Sequence, residues 1–270
     1  MSPRPAPLIQ RAGTLAVAVL AVVAASSAAI ASVRSADVPK AAAAANEQLR
    51  VVTANLAFRG PDAVRNDWNT IGPNADIVFV QEAKNVRLRD ILGDAWAVRQ
   101  DTSSDDRQGS AVVIRKSAVK SVGDLLLVKG TDASSCNNAE EGGIMTRWIA
   151  RVDVQLNNGR WIRAASLHMP PPRCQYGLGS PFAVMADNVV AFANRSDPLL
   201  VLGADWNKVV DADPNEIGAR TGLKPRGPDT GPRIDGFYVS PAITTNDLHY
   251  LAQTGSDHRP VQMTIGVPAP

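Results

Sequence analysis

The chain has 270 residues, 45% hydrophobic and 20% charged, which describes a soluble globular protein with enough apolar mass for one substantial core. Lys and Arg number 28 against 26 Asp and Glu, so no global basic field recruits nucleic acid, although a local phosphate-binding cleft stays open.

Residues 1–31 read as a secretory signal peptide. Arg4 and Arg11 precede an uncharged stretch, Ala12 to Ala31, that is rich in Ala, Val and Leu and ends in the A-x-A-like Ala29-Ile30-Ala31. The alternative is an uncleaved membrane anchor, because about 20 apolar residues span a bilayer. The Ala- and Ser-rich distal half partitions weakly into lipid and favours export with cleavage. Residues 32–48, with the run Ala41 to Ala45, read as a flexible tether, and residues 49–266 as one domain. Export to an oxidising compartment predicts that Cys136 and Cys174, the two cysteines, form a disulfide.

Along the domain, apolar β-branched runs bounded by turn residues predict strands at Leu49–Ala54, Ile77–Val80, Ala111–Ile114, Ile149–Leu156, Trp161–Leu167, Leu199–Leu202, Ile234–Val239 and Pro260–Ile265. A helix is expected from Pro61 to Ile71, stopped by Gly72-Pro73. Asn157-Asn158-Gly159 marks a hairpin, since Asn and Gly tolerate positive φ. Ser180-Pro181 starts a second helix that runs to about Asn194 with Phe182, Met185, Val189 and Phe192 on one stripe. Hairpins mixed with helices point to an α/β protein with a mixed sheet or a pair of packed sheets.

Polar residues stand where these strands end. The first strand runs into Asn55, the second into Gln81-Glu82, the fifth into His168, and Leu199–Leu202 into Gly203-Ala204-Asp205-Trp206-Asn207; Asp257-His258 immediately precedes the last. Buried strands converge at their ends, and a rigid sheet can hold a catalytic constellation there. A phosphodiester is anionic and resists hydroxide, so its hydrolysis needs a cation and a base that prepares water. Carboxylates, amides and imidazoles at five strand ends suit that chemistry. No Gly-x-Ser-x-Gly elbow, no Gly-x-x-x-x-Gly-Lys loop and no His-Glu-x-x-His helix occurs.

The sequence resembles the endonuclease/exonuclease/phosphatase superfamily from about Leu49 to Gly266. The resemblance rests on Thr53-Ala54-Asn55-Leu56, Val80-Gln81-Glu82, Ser166-Leu167-His168, Asp205-Trp206-Asn207, Arg233-Ile234-Asp235 and Ser256-Asp257-His258-Arg259-Pro260-Val261, in that order. It implies a four-layer α/β sandwich, two packed mixed β-sheets flanked by helices. It also implies that Glu82 is the principal metal ligand, with Asn55 and Asp257 nearby, in an oxygen set that suits Mg²⁺ or Mn²⁺, with Ca²⁺ as a second ion. His258, oriented by Asp235, would activate water; Asp205 and Asn207 would position water and phosphate; His168 would donate to a phosphoryl oxygen.

One extra residue separates Gly203 from Asp205 relative to the family's Gly-Asp-x-Asn, and a bulge is expected there. A further carboxylate behind His168 could come from Asp101, Asp105 or Asp106. Lys84 reads as a solvated surface lysine and His249 as structural. Arg147-Trp148 and Pro170-Pro171-Pro172-Arg173 could line the cleft, but ordinary packing and a stiff connection are the preferred reading. The leading expectation is a secreted nuclease, monomeric and without a stable protein partner. The alternatives are a phospholipid or sphingomyelin phosphodiesterase, a phosphatase of the same superfamily, and a catalytically inactive binding module.

Overall fold

The computed structural model describes residues 46–102, 108–136, 143–177, 179–196 and 198–270. The proposed signal peptide and nearly all of the tether lie outside these residues. Glu47 and Gln48, assigned above to the tether, belong instead to the first strand. Glu47 pairs with Val267, and its carboxylate accepts from the backbone N–H groups of Asn157 (3.0 Å) and Asn158 (2.6 Å), so the polar side chain has partners that a tether would lack.

The chain builds two sheets. Strands β1 (Glu47–Asn55), β2 (Ile77–Gln81), β3 (Trp96–Gln100) and β4 (Ala111–Arg115) begin the first. Strands β5 (Ser121–Val122), β6 (Leu126–Thr131), β7 (Arg147–Gln155), β8 (Trp161–His168), β9 (Leu199–Asp205), β10 (Lys224–Arg226) and β11 (Asp235–Val239) make the second. Strands β12 (Thr244–Tyr250) and β13 (Val261–Val267) return to the first. The orders are β12-β13-β1-β2-β4-β3 and β10-β11-β9-β8-β7-β5, with β6 also hydrogen-bonded to β7. Both sheets are mixed, because β1 runs parallel to β2 and β8 parallel to β9.

Alternation along the strands sorts side chains into separate apolar interfaces. Val51, Phe79 and Ile265 of the first sheet meet Val152, Val201 and Phe237 of the second. Their neighbours Val52, Val78 and Val80 turn the other way, onto Val64 and Ile71 of α1 (Pro61–Ile71) and Leu88 of α2 (Leu88–Leu92). On the far side, Ile149, Leu167 and Leu202 pack against Phe182, Met185 and Val189 of α3 (Pro181–Asn194) and Ile217 of α4 (Ile217–Thr221). Three apolar interfaces therefore separate four layers, which is the expected α/β sandwich.

Local signals act as their chemistry requires. The Ser180 hydroxyl accepts from Ala183 N–H at 3.2 Å and caps α3, whose first residue, Pro181, has no N–H to leave unsatisfied. Leu156 and Arg160 close the β7–β8 hairpin at 2.8 Å, with Gly159 at φ +90°. Strands β3, β10 and β12 carry no clear apolar signal: β12 is a mostly exposed edge strand, and β10 contains Pro225, which an edge tolerates.

The bulge expected before Asp205 is absent. Strand β9 keeps its register against both neighbours through Gly203, Ala204 and Asp205. Gly203 is needed for a different reason, since a Cβ there would lie 2.3 Å from the Phe79 ring of the facing sheet.

Cys136 and Cys174 are bonded, with a Cα–Cα separation of 4.7 Å across 38 residues of sequence. The bond is buried with Ile144 and ties the β6–β7 loop to the segment after His168. By loop-closure entropy, Cys136→Ser/Cys174→Ser should lose up to about 4 kcal/mol of stability. Thermal unfolding of that variant, and of the wild type with and without reductant, measures the loss; identical midpoints would mean that the bridge does not constrain the chain.

Candidate active site

Strand register makes neighbours of the predicted residues. Asn55 is paired with Gln81 across β1 and β2, so Glu82 follows directly beside Asn55. Across the second sheet His168 is paired with Asp205, and Asp205 with Asp235. Asp257 and His258 lie in the segment between β12 and β13. The site therefore straddles both sheets.

Buried polar contacts beneath it lock the sheets together. Gln81 donates to the Ser166 hydroxyl at 3.1 Å, Ser166 donates to the Val80 carbonyl at 2.7 Å, and all three residues are fully buried. Because Trp206 alternates with its neighbours, its indole enters the α3 side of the core and donates to Gly236 O at 3.1 Å. Asp205 and Asn207 are thereby left on the site face. Glu82 and Asn207 both adopt left-handed backbone, at φ +56° and +52°. Such conformations cost on the order of 1–3 kcal/mol in non-glycine residues and persist where the surroundings fix them. The Glu82 carbonyl accepts from Phe58 N–H at 3.1 Å, and Asn207 N–H donates to Asp205 Oδ1 at 2.8 Å.

Asp205 is the hub. Its Oδ2 accepts from Asn55 Nδ2 at 3.1 Å and stands 3.2 Å from His168 Nε2 and 3.8 Å from His258 Nε2. Burial pushes its carboxyl up, but the two histidines and Asn207 outweigh burial and hold it below the ordinary range. Glu82 behaves oppositely: burial, then the charge of Asp205, raise it to about 6, against Arg147 and His258, which pull it down. His168 is driven down to about 4, mainly by burial and then by Arg147, and so is neutral at physiological pH. His258 Nδ1 lies 2.7 Å from Asp235 Oδ2. Burial opposes its protonation, but the contact with Asp235, together with the charges of Asp235 and Asp205, overrides burial and raises it to about 9. Burial likewise lifts Asp235 to about 7, with His258 pulling the other way. The dyad thus titrates as one unit holding a shared proton.

Seven of the eight predicted residues form this connected cluster. Asp257 is exposed beside it, within a cavity that His258 and Asp235 also line, and accepts from the Ser256 hydroxyl at 3.4 Å. Two placements differ from expectation. Asn55 turns its amide N–H toward the carboxylates, while its oxygen accepts from Ala57 N–H at 2.9 Å. His168 is buried, and its ring nitrogens face Glu82 (3.4 Å) and Asp205 (3.2 Å), so it also stands against two carboxylates of the cluster. These are the carboxylates that flank His168; Asp101 is buried, and Asp105 and Asp106 lie outside the described residues. Lys84 is exposed, and His249 bonds locally to Asp247 O at 2.9 Å.

Arg147 is the residue the sequence hid. It opens β7 without a motif and reads there as packing, yet it is 4% exposed, and its Nε and Nη1 have no hydrogen-bond partner among the described residues. Burial lowers its pKa to about 10 while Glu82 and Asp205 attract it. A buried guanidinium with unused donors beside a carboxylate cluster is suited to receive an anionic oxygen.

The sequence model of the Endonuclease/Exonuclease/phosphatase family matches residues 36–258. The chain belongs to this family. Solved structures agree in fold. A family member from Beutenbergia cavernae superposes with a TM-score of 0.56 at 20% identity, over 83% of this chain and 73% of that one. The mannosyl-6-phosphatase of Bacteroides thetaiotaomicron gives 0.55 at 17% identity, over 80% and 99%. TDP2 of D. rerio, complexed with a single-strand DNA product, gives 0.56 at 15% identity, over 82% and 100%. Among curated proteins, none matches this sequence. At such low identities these likenesses speak for the fold alone.

Two measurements check the electrostatics. In Asp235→Asn, His258 loses its charged partner while burial continues to oppose protonation, so its pKa should fall from about 9 to near or below the ordinary 6.5, as read by NMR titration. In the wild type the same raised value makes the contribution of His258 to folding complete below about 6.5 and lost as pH rises through about 9. For Arg147→Met, losing the buried guanidinium that Glu82 and Asp205 attract leaves those carboxylates less compensated, so the thermal midpoint should fall. Hydrolytic kcat/KM should meanwhile fall about a hundredfold, the usual cost of one lost anion donor. Unaltered turnover would remove Arg147 from the site.

Proposed function

We propose that this chain is an exported, divalent-metal-dependent phosphodiesterase that cleaves nucleic acid by attack of water on phosphorus. Members of its family are hydrolases acting on phosphoesters. The observation that carries the reading is the His258–Asp235 contact at 2.7 Å, with Nε2 of the same imidazole turned toward the Asp205 carboxylate.

The donor set fits a hard cation. Glu82 and Asp205 raise one another's energy within a buried space, and the elevation of Glu82 to about 6 expresses that cost. Oxygen ligands of this kind suit Mg²⁺ or Mn²⁺. Among the described residues, the group whose ligand atoms all lie within 4.8 Å of one another is Asp205, Asp235 and His258. We favour Glu82, with Asp257 and Asp205, because a cation among the other three would have to break the 2.7 Å His258–Asp235 contact. When bound, the cation would neutralise charge on a phosphoryl oxygen and relieve the repulsion between the carboxylates.

The chain's own residues supply the rest. In its neutral form, which gains population as pH rises toward about 9, His258 Nε2 takes the proton of the attacking water, and Asp235 holds Nδ1 so that Nε2 faces the reaction and the resulting imidazolium is stabilised. Asn207 Nδ2, anchored by Met169 O at 2.9 Å and next to His168 Nε2 at 3.0 Å, keeps the Asp205 loop in place. Arg147 receives a phosphoryl oxygen as charge builds there. The nucleic-acid assignment draws support from TDP2, whose structure holds a DNA product. Export draws support from the Ala-rich N-terminal segment and from the disulfide, a bond that persists in oxidising compartments.

The test uses purified protein with supercoiled plasmid, RNA, sphingomyelin vesicles and bis-p-nitrophenyl phosphate, in Mg²⁺, Mn²⁺ or EDTA. Plasmid nicking that needs the metal and drops at least a thousandfold in His258→Ala is the expected result. Cleavage of the lipid with intact plasmid would reassign the substrate to phospholipid, and activity that survives EDTA would overturn the metal assignment.

A further inference from the structure

Beside His258 and Asp257 lies a cavity of about 390 Å³, formed between the segment 230–234 and the segment 250–259. Its inner end is catalytic: Asp235, Asp257 and His258 line it, and Asp235 Oδ1, on a carboxyl that is 4% exposed, has no hydrogen-bond partner among the described residues. Its outer walls are different in character. The ring of Tyr250, Pro232 and Ile234 are apolar, while Thr230 and Gln253 offer a hydroxyl and an amide.

The walls are held in place before any ligand arrives. Tyr250 Oη accepts from Arg233 N–H at 2.9 Å, fixing the ring against the segment it faces. Gly231, at φ +74°, allows that approach, since a Cβ there would come within 3.0–3.3 Å of the Tyr250 ring. The Arg259 guanidinium lies 5.0 Å over the same ring and donates twice to Leu251 O, at 3.2 and 2.8 Å. The far side of segment 230–234 is stitched to the catalytic loop through Trp206 N–H to Ile234 O (2.7 Å) and Val210 N–H to Arg233 O (3.0 Å).

We propose that this cavity is a subsite for one nucleobase, carried by the nucleotide whose phosphate reacts at His258. The inference deepens the proposed phosphodiesterase reading and rests on it for the placement of that phosphate. Three properties point to a base. The space accepts a nucleoside-sized group and opens directly onto the reacting centre. A fixed aromatic face with proline and isoleucine offers stacking and contact to a planar ring. The polar side chains on the outer walls are the Thr230 hydroxyl, the Gln253 amide and the Arg259 guanidinium, donors and acceptors of the kind that orient a base edge. A second phosphate would meet one cation on the outer walls, Arg259, whose guanidinium already donates twice to Leu251 O and lies over the Tyr250 ring, and an acyl chain would need an apolar channel without polar atoms.

The experiment compares the binding of thymidine 5′-monophosphate and 2-deoxyribose 5-phosphate by calorimetry, in Mg²⁺ and in EDTA, for the wild type, Tyr250→Phe, Tyr250→Leu and Thr230→Trp. Thr230 is exposed and outside the catalytic cluster, so Thr230→Trp fills the cavity without disturbing a core, and Tyr250→Phe keeps the ring while losing the hydroxyl. The expected result is that the base strengthens wild-type binding at least tenfold, that Tyr250→Phe keeps most of this gain, and that Tyr250→Leu and Thr230→Trp abolish it with sugar-phosphate affinity unchanged. Equal affinities for the two ligands in the wild type, or a gain untouched by Thr230→Trp, would overturn the subsite. Hydrolysis of bis-p-nitrophenyl phosphate, run in parallel, reports separately on the phosphodiesterase reading. Turnover with no base-dependent binding sinks the subsite alone, and absence of turnover sinks the catalytic reading whatever the calorimetry gives.

Discussion

The hydrogen bond from Asn55 to Asp205 joins one sheet to the other at the point where both end. Asn55 and Glu82 belong to the first sheet, His168, Asp205 and Asp235 to the second, and neither group is complete without its counterpart. The geometry of the site is therefore only as good as the packing of the sandwich. Two features directly beneath it enforce that packing: Gly203, which lets Phe79 approach without obstruction, and the buried Gln81–Ser166–Val80 contacts, which fix the relative height of the sheets. Close-packed interiors transmit small displacements, so a core change at this interface is felt at the carboxylates.

The cluster carries its electrostatic strain unequally. Asp205 is surrounded by donors and stays ionised, whereas Glu82, across the His168 ring from it, is lifted toward neutrality. The two histidines are also driven apart, His168 downward by burial and His258 upward by Asp235 and Asp205. The two imidazoles thus favour opposite protonation states within one cluster. A pair of like groups with opposed environments is how a single site obtains distinct acid and base roles.

Much of this was legible in the sequence, and the reason is local. Strands such as β2 and β9 are buried on both faces and open with unbroken apolar runs, so the polar residues that follow stand out. The cap of α3 and the Asn157-Asn158-Gly159 turn likewise depend on chemistry within a few residues. What could not be read depends on partners distant in sequence. Strand β12 is polar and exists because β13 offers it hydrogen bonds. Arg147 has no motif, and its meaning comes from carboxylates contributed by β2 and β9. Gly203 suggested a bulge because its constraint, the ring of Phe79, lies on the other sheet. Asn55 could be placed but not oriented, since the direction of its amide is decided by Ala57 on one side and Asp205 on the other.

The pairing of Glu47 with Val267 has a consequence for biosynthesis. Strand β1 sits between β2 and β13 in the centre of its sheet, so its outer edge stays unpaired until the last strand has been made. His258 lies just ahead of that strand. A nascent chain still emerging from the ribosome therefore has neither a closed first sheet nor the imidazole of His258 beside Asp235. Closure of the first sheet and completion of the polar cluster become one late event in synthesis.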